Sequence, residues 1–308
     1  MEQADRPGGW ITLGEGADVV VISTLGAGLH RVRLAGSEVM PEDTEDARVG
    51  WSSGISLAPW PNRLRGGSWE FDGTTLTGEC NEAKGNALHG LVFGRDFDVV
   101  QVGPTAVTLE YRLGDDAVYP FPVTIVVEYL LRAGDLAVTM SATNHHTVAV
   151  PVALGTHPYF VFGPDSTITT SARSITENDA LQIPTGSLLP PTAVGITPDE
   201  PTLLAGLVLD DCFGDLARDG TGWAHTVLRH GDGTVVDVRQ DAHCPYTMIF
   251  INHSFPWAAG AAPAVAIEPQ TVLANALQTG EGLHWLQPGE TWGMRWGIAV
   301  TSAPESDS

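Results

Sequence analysis

Cysteine is scarce in this chain, whose 308 residues include only Cys80, Cys212 and Cys244. The number is odd, the positions lie far apart and no C-x-x-C pair occurs. The sequence therefore indicates neither a disulfide framework nor a thiolate zinc site. We expect three reduced thiols, most of them buried.

Basic residues are also few, since 15 Lys and Arg stand against 37 Asp and Glu and give a formal charge of −22. Such a surface repels nucleic acid phosphates and anionic lipids, so neither is an expected partner. No run approaches the ~18 apolar residues that a membrane span needs. The first residues, Met1–Pro7, lack the basic stretch and apolar core of a signal peptide. The sequence predicts a soluble, cytoplasmic protein.

Helical periodicity is rare, whereas apolar residues alternating with period two recur along the chain and predict an all-β fold. Thirty-five glycines and 21 prolines separate the predicted strands with turns, as in an antiparallel sandwich. The predicted strands include Ala106–Leu113, Val123–Leu131, Leu136–Thr143, Thr234–Arg239, Tyr246–Asn252 and Met294–Val300.

Turn signals and composition bear on the domain organisation. Asp72-Gly73 predicts a hairpin, and Ala133-Gly134-Asp135 predicts a reversal between two long strands. Residues 183–201 are predicted to be a long excursion between strands, without the change of composition that a domain linker would show. We predict one domain over residues 1–308, ending in a disordered tail at 302–308.

His157 and Glu268 stand in contexts that suit proton transfer. Pro158 excludes His157 from helical geometry, and an apolar strand precedes it, so the imidazole is expected at a strand end. A structural histidine held by a backbone carbonyl fits this segment equally well. Glu268 closes the apolar run Ala262–Ile267, where a carboxylate without a role would be costly to bury. Imidazole and carboxylate together suggest general acid and base chemistry.

Three further segments carry polar groups in unusual settings. Asn62 and Arg63 follow the rigid aromatic stretch Ala58–Pro61, where an Arg fork can hold a polar ring-shaped ligand or simply stack on Trp60. His89 precedes Gly90, a place where the backbone needs room to turn. Asp210 and Asp211 are adjacent in an apolar segment, so one is expected to face inward and the other solvent.

Other chemistries find less support in the sequence. The histidines lack the i, i+4 spacing of a zincin, so a metal site is disfavoured. No G-x-S-x-G pentapeptide stands at a strand-to-helix turn, which disfavours a serine hydrolase. A glycosidase could use Glu268 with Asp210, but that reaction would leave both histidines without a role.

With these residues in view, the chain resembles the aldose 1-epimerase (galactose mutarotase) family. The resemblance runs from about Trp10 to the Trp-rich C-terminal segment. Its motifs are PWPNRLRGG with Asn62 and Arg63, NALHG with His89, GTHPYF with His157, LDDCF with Asp210, and AIEPQT with Glu268.

The resemblance implies an antiparallel β-supersandwich of the galactose mutarotase type that binds a free hexose such as glucose or galactose, without metal or cofactor. Glu268 would be the base at the anomeric hydroxyl and His157 the acid at the ring oxygen, with Glu268 ionised and His157 partly imidazolium. Asn62, Arg63, His89 and Asp210 would bind the sugar.

Two residues depart from the family pattern. Gln270 stands where Met is common, and Asp211 stands where His is common, so Asp210 is expected to face the ligand. A hexose-6-phosphate 1-epimerase is the competing enzyme, in which Arg65 or Arg95 would hold the phosphate. A non-catalytic sugar-binding sandwich is the other alternative.

Overall fold

The computed structural model describes residues 9–302, and strands dominate it. Met1–Pro7 and residues 303–308 of the predicted tail lie outside the described residues. The first thirteen strands are β1 Trp10–Glu15, β2 Asp18–Ser23, β3 Gly28–Leu34, β4 Ser37–Met40, β5 Ser56–Leu57, β6 Arg63–Arg65, β7 Ser68–Phe71, β8 Thr74–Thr77, β9 Asn86–Leu88, β10 Asp98–Val102, β11 Ala106–Leu113, β12 Val123–Arg132 and β13 Asp135–Asn144.

The second half of the chain continues in the same way. Its strands are β14 Val150–Val152, β15 Gly155–Thr156, β16 Tyr159–Val161, β17 Thr167–Thr170, β18 Ser174–Asn178, β19 Pro184–Leu189, β20 Thr202–Leu203, β21 Asp210–Gly214, β22 Ala224–Arg229, β23 Val235–Gln240, β24 Tyr246–Trp257, β25 Gly260–Gln270, β26 His284–Leu286 and β27 Thr291–Thr301. The helical segments are α1 Glu45–Trp51, the 3₁₀ helix Pro191–Val194 and α2 Ala276–Thr279. No helix among residues 9–302 is both long and apolar enough to cross a membrane.

Two large antiparallel sheets form the body of the fold. The nine-stranded sheet has the order β10-β11-β12-β13-β27-β23-β22-β17-β20. The eight-stranded sheet has the order β19-β18-β21-β24-β25-β15-β5, with β16 also paired to β25. A four-stranded sheet, β1 to β4, and three two-stranded ribbons complete the architecture. The predicted all-β antiparallel sandwich is confirmed.

Both large sheets send alternate side chains into one hydrophobic cluster. Strand β13 buries Leu136, Val138 and Met140, while β24 contributes Ile249 and Ile251 from the other sheet. Because side chains alternate across a strand, the residues between these on β24 point to the opposite face. The opposite face of the eight-stranded sheet is therefore available for a site.

Helix α1 is held by a cluster of polar side chains that is mostly buried. Thr44 caps its N-terminus. Asp43 contacts His30 and also accepts a hydrogen bond from Arg48 Nη1 at 2.9 Å, and the Asp43 and His30 side chains are buried. The helix ends at Trp51 beside the eight-stranded sheet. The position of this helix is thus fixed by tertiary contacts.

The six strands predicted from alternation are confirmed; Ala106–Leu113 matches β11 at both ends, and the ends of the others differ by up to five residues. The hairpin is also confirmed, since Asp72 and Gly73 both have positive φ, 48° and 73°, between β7 and β8. The prediction for residues 183–201 is wrong in part, because β19 and the 3₁₀ helix lie inside it. Strand β27 ends at Thr301, directly before the predicted tail. The single-domain organisation stays a prediction.

Gly54 occupies a position that no other residue fits. Its φ is +70°, and an added Cβ would lie 1.8 Å from the Leu29 carbonyl oxygen. We expect Gly54→Ala to lower the free energy of unfolding by at least about 2 kcal/mol, because the backbone at residue 54 or at Leu29 would have to move. Gly50 in α1 is the matched control, since an added Cβ there meets nothing within 4 Å.

Gly50→Ala should leave the free energy of unfolding within about 1 kcal/mol of the wild type, in the stabilising direction. Urea unfolding of the wild type and both variants measures the difference. Equal stability of the two variants would contradict the steric argument.

Candidate active site

A cleft of about 240 Å³ opens on the face of the eight-stranded sheet that points away from the core. It contains every residue that the sequence suggested for the site: Asn62, Arg63, His89, His157, Asp210 and Glu268. The remaining lining residues are Gly50, Trp51, Ser52, Leu88, Tyr159, Met248 and Phe250.

Three neighbouring strands form the floor of the cleft. Asp210 on β21 lies opposite Phe250 on β24, and Met248 lies opposite Glu268 on β25. Side chains two residues apart on a strand share a face, so this register places both carboxylates on the cleft side. Asp211 lies opposite Ile249 and does not line the cleft. The expectation that Asp210 faces the ligand agrees with this placement.

The wall of the cleft is built from a short ribbon, β6 paired with β9. Arg63 lies opposite Leu88, and the His89 N–H donates to the Asn62 carbonyl at 2.8 Å. Asn62 and His89 have positive φ, 55° and 66°, which turns both side chains out of the regular ribbon. Gly90 follows with φ +72°, and an added Cβ would lie 2.2 Å from the Ala58 oxygen. The predicted need for room at Gly90 is confirmed.

Arg63 is largely buried and already has an acidic neighbour. Its Nη1 donates to Asn62 Oδ1 at 3.3 Å, and its Nε lies 3.6 Å from Glu82 Oε1. Within residues 9–302 no ring contact joins Arg63 to Trp60, whose indole N–H points instead at the Ala87 carbonyl, 3.4 Å away. The alternative in which Arg63 simply stacks on Trp60 is therefore not found.

His157 and Glu268 meet in the buried part of the cleft. His157 Nε2 lies 3.3 Å from Glu268 Oε1, and the two side chains are 7% and 2% exposed. The His157 backbone is fixed from both sides, because its N–H donates to Ile55 O at 3.1 Å and its carbonyl accepts from Gly54 N–H at 2.8 Å. The imidazole also stacks on Tyr159, with ring centroids 5.0 Å apart.

The second oxygen of the Glu268 carboxyl group has its own partner. Gln270 is fully buried, and its Nε2 donates to Glu268 Oε2 at 3.1 Å. The two residues are separated by Pro269 alone, so they share the cleft-side face of β25. Gln270 does not line the cleft itself. One carboxyl oxygen thus faces His157 while the other is held by an amide.

Burial determines the charge state of this pair. It lowers the pKa of His157 to about 3 and raises the pKa of Glu268 well above its ordinary value. The nearby Asp210 carboxylate raises the pKa of Glu268 further. The Gln270 amide acts in the opposite direction and lowers the pKa of Glu268. Burial likewise lowers the pKa of His89, and His157 and Arg63 lower it further. The expected pairing of carboxylate with imidazolium is therefore not the state that burial favours.

The sequence did not reveal an aromatic rim at the mouth of the cleft. Trp51 at the end of α1 is 41% exposed, and its ring is stacked with Phe250 at a centroid distance of 6.0 Å. Phe250 carried a usable signal, because alternation in β24 places it on the same face as Met248. Trp51 carried none, since its position depends on how α1 packs.

One pentapeptide in the cleft fits the letters of a hydrolase motif. Gly50-Trp51-Ser52-Ser53-Gly54 reads G-x-S-x-G, and Ser52 lines the cleft with φ 55°. The segment follows a helix and leads into β5, which is the reverse of the strand-to-helix turn that a nucleophile elbow requires. Among the described residues, no hydrogen bond links the Ser52 hydroxyl to a histidine. The reason for disfavouring a serine hydrolase therefore holds.

The arginines considered for phosphate binding and the cysteines lie outside the cleft. Arg65 pairs with Asp179 at 2.5 Å and Arg95 with Asp116 at 3.3 Å, and neither arginine lines the cleft. In residues 9–302 there is no group of three or more His, Cys, Asp or Glu side chains arranged to hold a metal ion. All three cysteines are free, two of them buried and Cys80 exposed. Metal independence stays a prediction.

Comparison with known proteins identifies one family. Residues 10–298 match the family model of aldose 1-epimerase. Among curated proteins, the chain is 34% identical over 152 residues to the uncharacterized protein YihR of Escherichia coli K12. That alignment covers 48% of this chain and 49% of YihR, so the chain spans about half the length of the curated relative it matches.

Solved structures share the fold over almost the whole chain. A putative aldose 1-epimerase of Escherichia coli K12 superposes with a TM-score of 0.81 at 19% identity, covering 96% of this chain and all of that one. A GalM/aldose epimerase homologue of C. elegans gives 0.82 at 19% identity, with 97% and 100% covered. A galactose 1-epimerase of Lactobacillus acidophilus gives 0.77 at 16% identity, with 99% and 97% covered. At these identities the likeness shows the fold alone.

The buried Glu268 carboxyl has a consequence for stability. Because its pKa in the folded protein is raised above 4.5, the unfolded chain loses this proton first as pH rises. The folded state is then progressively disfavoured between pH 4.5 and the raised pKa. An amide at this position would lack the titration. We therefore expect Glu268→Gln to raise Tm above the wild-type value, by an increment that grows with pH across this window.

Thermal unfolding at a series of pH values measures the increment. Glu128→Gln is the matched control, because Glu128 is exposed and its side chain has no ion pair or hydrogen bond among residues 9–302. Its Tm difference from the wild type should be small at every pH. A Glu268→Gln protein that is less stable than the wild type at neutral pH would contradict the analysis.

Proposed function

Because the chain belongs to the aldose 1-epimerase family, we propose that it interconverts the α and β anomers of a free hexose such as glucose or galactose. The observation that supports this most directly is the buried pair, with His157 Nε2 3.3 Å from Glu268 Oε1. The anomeric hydroxyl and the ring oxygen of a pyranose are bonded to the same carbon. An acid and a base this close together can therefore reach both oxygens of one bound sugar.

In the proposed reaction Glu268 takes the proton of the anomeric hydroxyl while His157 gives a proton to the ring oxygen. The bond between the anomeric carbon and the ring oxygen breaks, and its electron pair stays on that oxygen. The anomeric carbon becomes an aldehyde carbon, which turns about its bond to the second carbon. The same two groups then act in reverse, and the ring closes on the other face of the aldehyde.

The proton count of the pair agrees with this scheme. A neutral carboxyl group beside a neutral imidazole, the state that burial favours, holds one titratable proton in addition to the N–H of the neutral ring. A carboxylate beside an imidazolium also holds one. Transfer of that proton across the 3.3 Å between Nε2 and Oε1 converts the first state into the second. In the proposal the sugar reacts with the second state, which its hydroxyl groups help to solvate.

The other polar residues of the cleft would position the sugar. Arg63 and Asn62 present donors and an acceptor from the wall, and Asp210 presents a carboxylate from the floor. His89 lies edge-on to His157, with ring centroids 5.1 Å apart, and its lowered pKa keeps it neutral. A neutral imidazole can donate to one hydroxyl and accept from another.

The phosphate alternative is disfavoured by the placement of charge. Among residues 9–302, Arg63 is the one arginine that lines the cleft, and it already lies beside Glu82. Arg65 and Arg95 are each paired with an aspartate outside the cleft. Asp210 and Glu268 add carboxyl groups to the cleft floor. A dianionic phosphate would therefore meet few free cations here.

The proposal predicts the effect of removing the acid or the base. Glu268→Gln and His157→Asn should each lower kcat for anomer interconversion by about 10²-fold or more, because each removes a proton-transfer partner. Polarimetry of freshly dissolved α-D-glucose and α-D-galactose measures the rate. His89→Asn should lower kcat by a smaller factor, because His89 is proposed mainly to position the sugar.

A well-folded Glu268→Gln protein with undiminished mutarotation would contradict the assignment of the base. A wild-type protein that binds these sugars without accelerating their mutarotation would instead support the non-catalytic alternative.

A separate prediction concerns the charge of the substrate. The free hexose should be converted with a higher kcat/KM than its 6-phosphate, and the difference should be largest at low salt, where the net charge of −22 is least screened. Arg65→Ala and Arg95→Ala should leave conversion of the free hexose nearly unchanged. Kinetics on both substrates across a salt series provide the measurement. A preference for the 6-phosphate that either arginine variant abolishes would favour the sugar-phosphate epimerase.

A further inference from the structure

Each large sheet contains a buried glutamine, Gln240 on β23 and Gln270 on β25, and the two side chains have opposite hydrogen-bond patterns. Gln240 is fully engaged: its Nε2 donates to the carbonyls of Cys244 at 2.7 Å and Tyr246 at 2.8 Å, and its Oε1 accepts from Thr247 at 2.5 Å. Gln270 is equally buried, yet its one hydrogen bond among the described residues goes to Glu268 Oε2, and its Oε1 has no partner. A buried amide that is half unsatisfied costs stability rather than adding to it.

Space for the Gln270 side chain is provided by a glycine. Gly155 lies opposite Gln270 in the pairing of β15 with β25, and a Cβ there would lie 3.3 Å from Gln270 Cγ and 2.8 Å from Pro61 Cβ. The amide is therefore confined between neighbouring strands and directed along β25 towards Glu268. The one hydrogen bond of its side chain among residues 9–302 is with the carboxyl group that faces His157.

We infer that Gln270 is a positioning residue for Glu268, whose carboxylate its amide holds in the orientation that takes the proton from the sugar. The inference rests on the proposed function for its catalytic meaning. The amide donates through Nε2 when Glu268 is ionised. A half-turn of the amide would instead present Oε1 to a protonated Glu268, so one side chain serves both states of the base.

Other groups around Glu268 do not supply this contact. Arg63 and Asp210 act on the carboxyl through their charges, and His157 faces the other oxygen. Removing the amide therefore leaves Oε2 without a hydrogen-bond donor among residues 9–302. The titratable and charged groups that face Glu268 from the neighbouring elements are His157, Tyr159, Arg63, Asp210 and Cys212.

Gln270→Met tests the inference, because Met is unbranched and similar in size but has no donor. In an active enzyme kcat should fall about 10-fold, the scale expected for a lost hydrogen bond to a charged group. KM should change less than about twofold, since Gln270 does not line the cleft. Tm should stay level or rise, because the unsatisfied Oε1 is removed as well. In a Glu268→Gln background the same substitution should cause no further loss of activity.

A second readout does not depend on activity. The infrared band of the protonated Glu268 carboxyl group is identified as the one that Glu268→Gln abolishes. The change of its intensity with pH gives the midpoint, which is the pH at which Glu268 is half protonated. Loss of a donor to the carboxylate destabilises the charged form, so the midpoint should move to higher pH in Gln270→Met. Gln240→Met is the control, in which Tm should fall while the midpoint stays at its wild-type value.

An unchanged midpoint in Gln270→Met, or an equal loss of kcat in the Gln240 control, would overturn the inference. A wild-type protein that does not accelerate mutarotation would overturn the proposed function, and the infrared midpoint would still decide whether Gln270 acts on Glu268.

Discussion

The candidate site depends on the removal of one carboxyl group from water. As a whole residue Glu268 is 1% exposed, and the residue before it in β25, Ile267, belongs to the hydrophobic core. An ionised carboxylate in such a place is costly unless nearby groups compensate it. The 3.3 Å contact with His157 and the Gln270 amide are the direct compensation found. Glu268 therefore lies on a strand that is paired on both sides within the eight-stranded sheet.

Alternation across three paired strands explains how one sheet serves both packing and chemistry. In β24, Ile249 and Ile251 join the core while Met248 and Phe250 line the cleft. The same period of two on β25 puts Glu268 on the cleft side, opposite Met248. A one-residue slip of β25 against β24 would turn Glu268 towards the core and Ile267 towards the cleft. The packing of the apolar face thus fixes the geometry of the polar one.

Much of this arrangement could be predicted from the sequence, and the remainder could not for identifiable reasons. Alternation located the long strands, and five motifs selected the polar residues that line the cleft. Strand order and the packing of α1 depend on contacts between distant segments, so neither β19 nor the Trp51 rim was predicted. The lowered pKa of His157 could not be predicted either, because it is caused by burial, which the sequence does not show.

The distance along the chain between the two halves of the site has a consequence for folding. Leu154 and Thr271, each three residues from one member of the His157–Glu268 pair, are joined by a hydrogen bond across 117 residues of sequence. Contacts of such long range form late and slowly, because a large loop must close before they gain anything. A nascent or partly unfolded chain therefore has no paired imidazole and carboxylate. The two side chains come together only when β25 takes its place between β24 and β15 in the eight-stranded sheet.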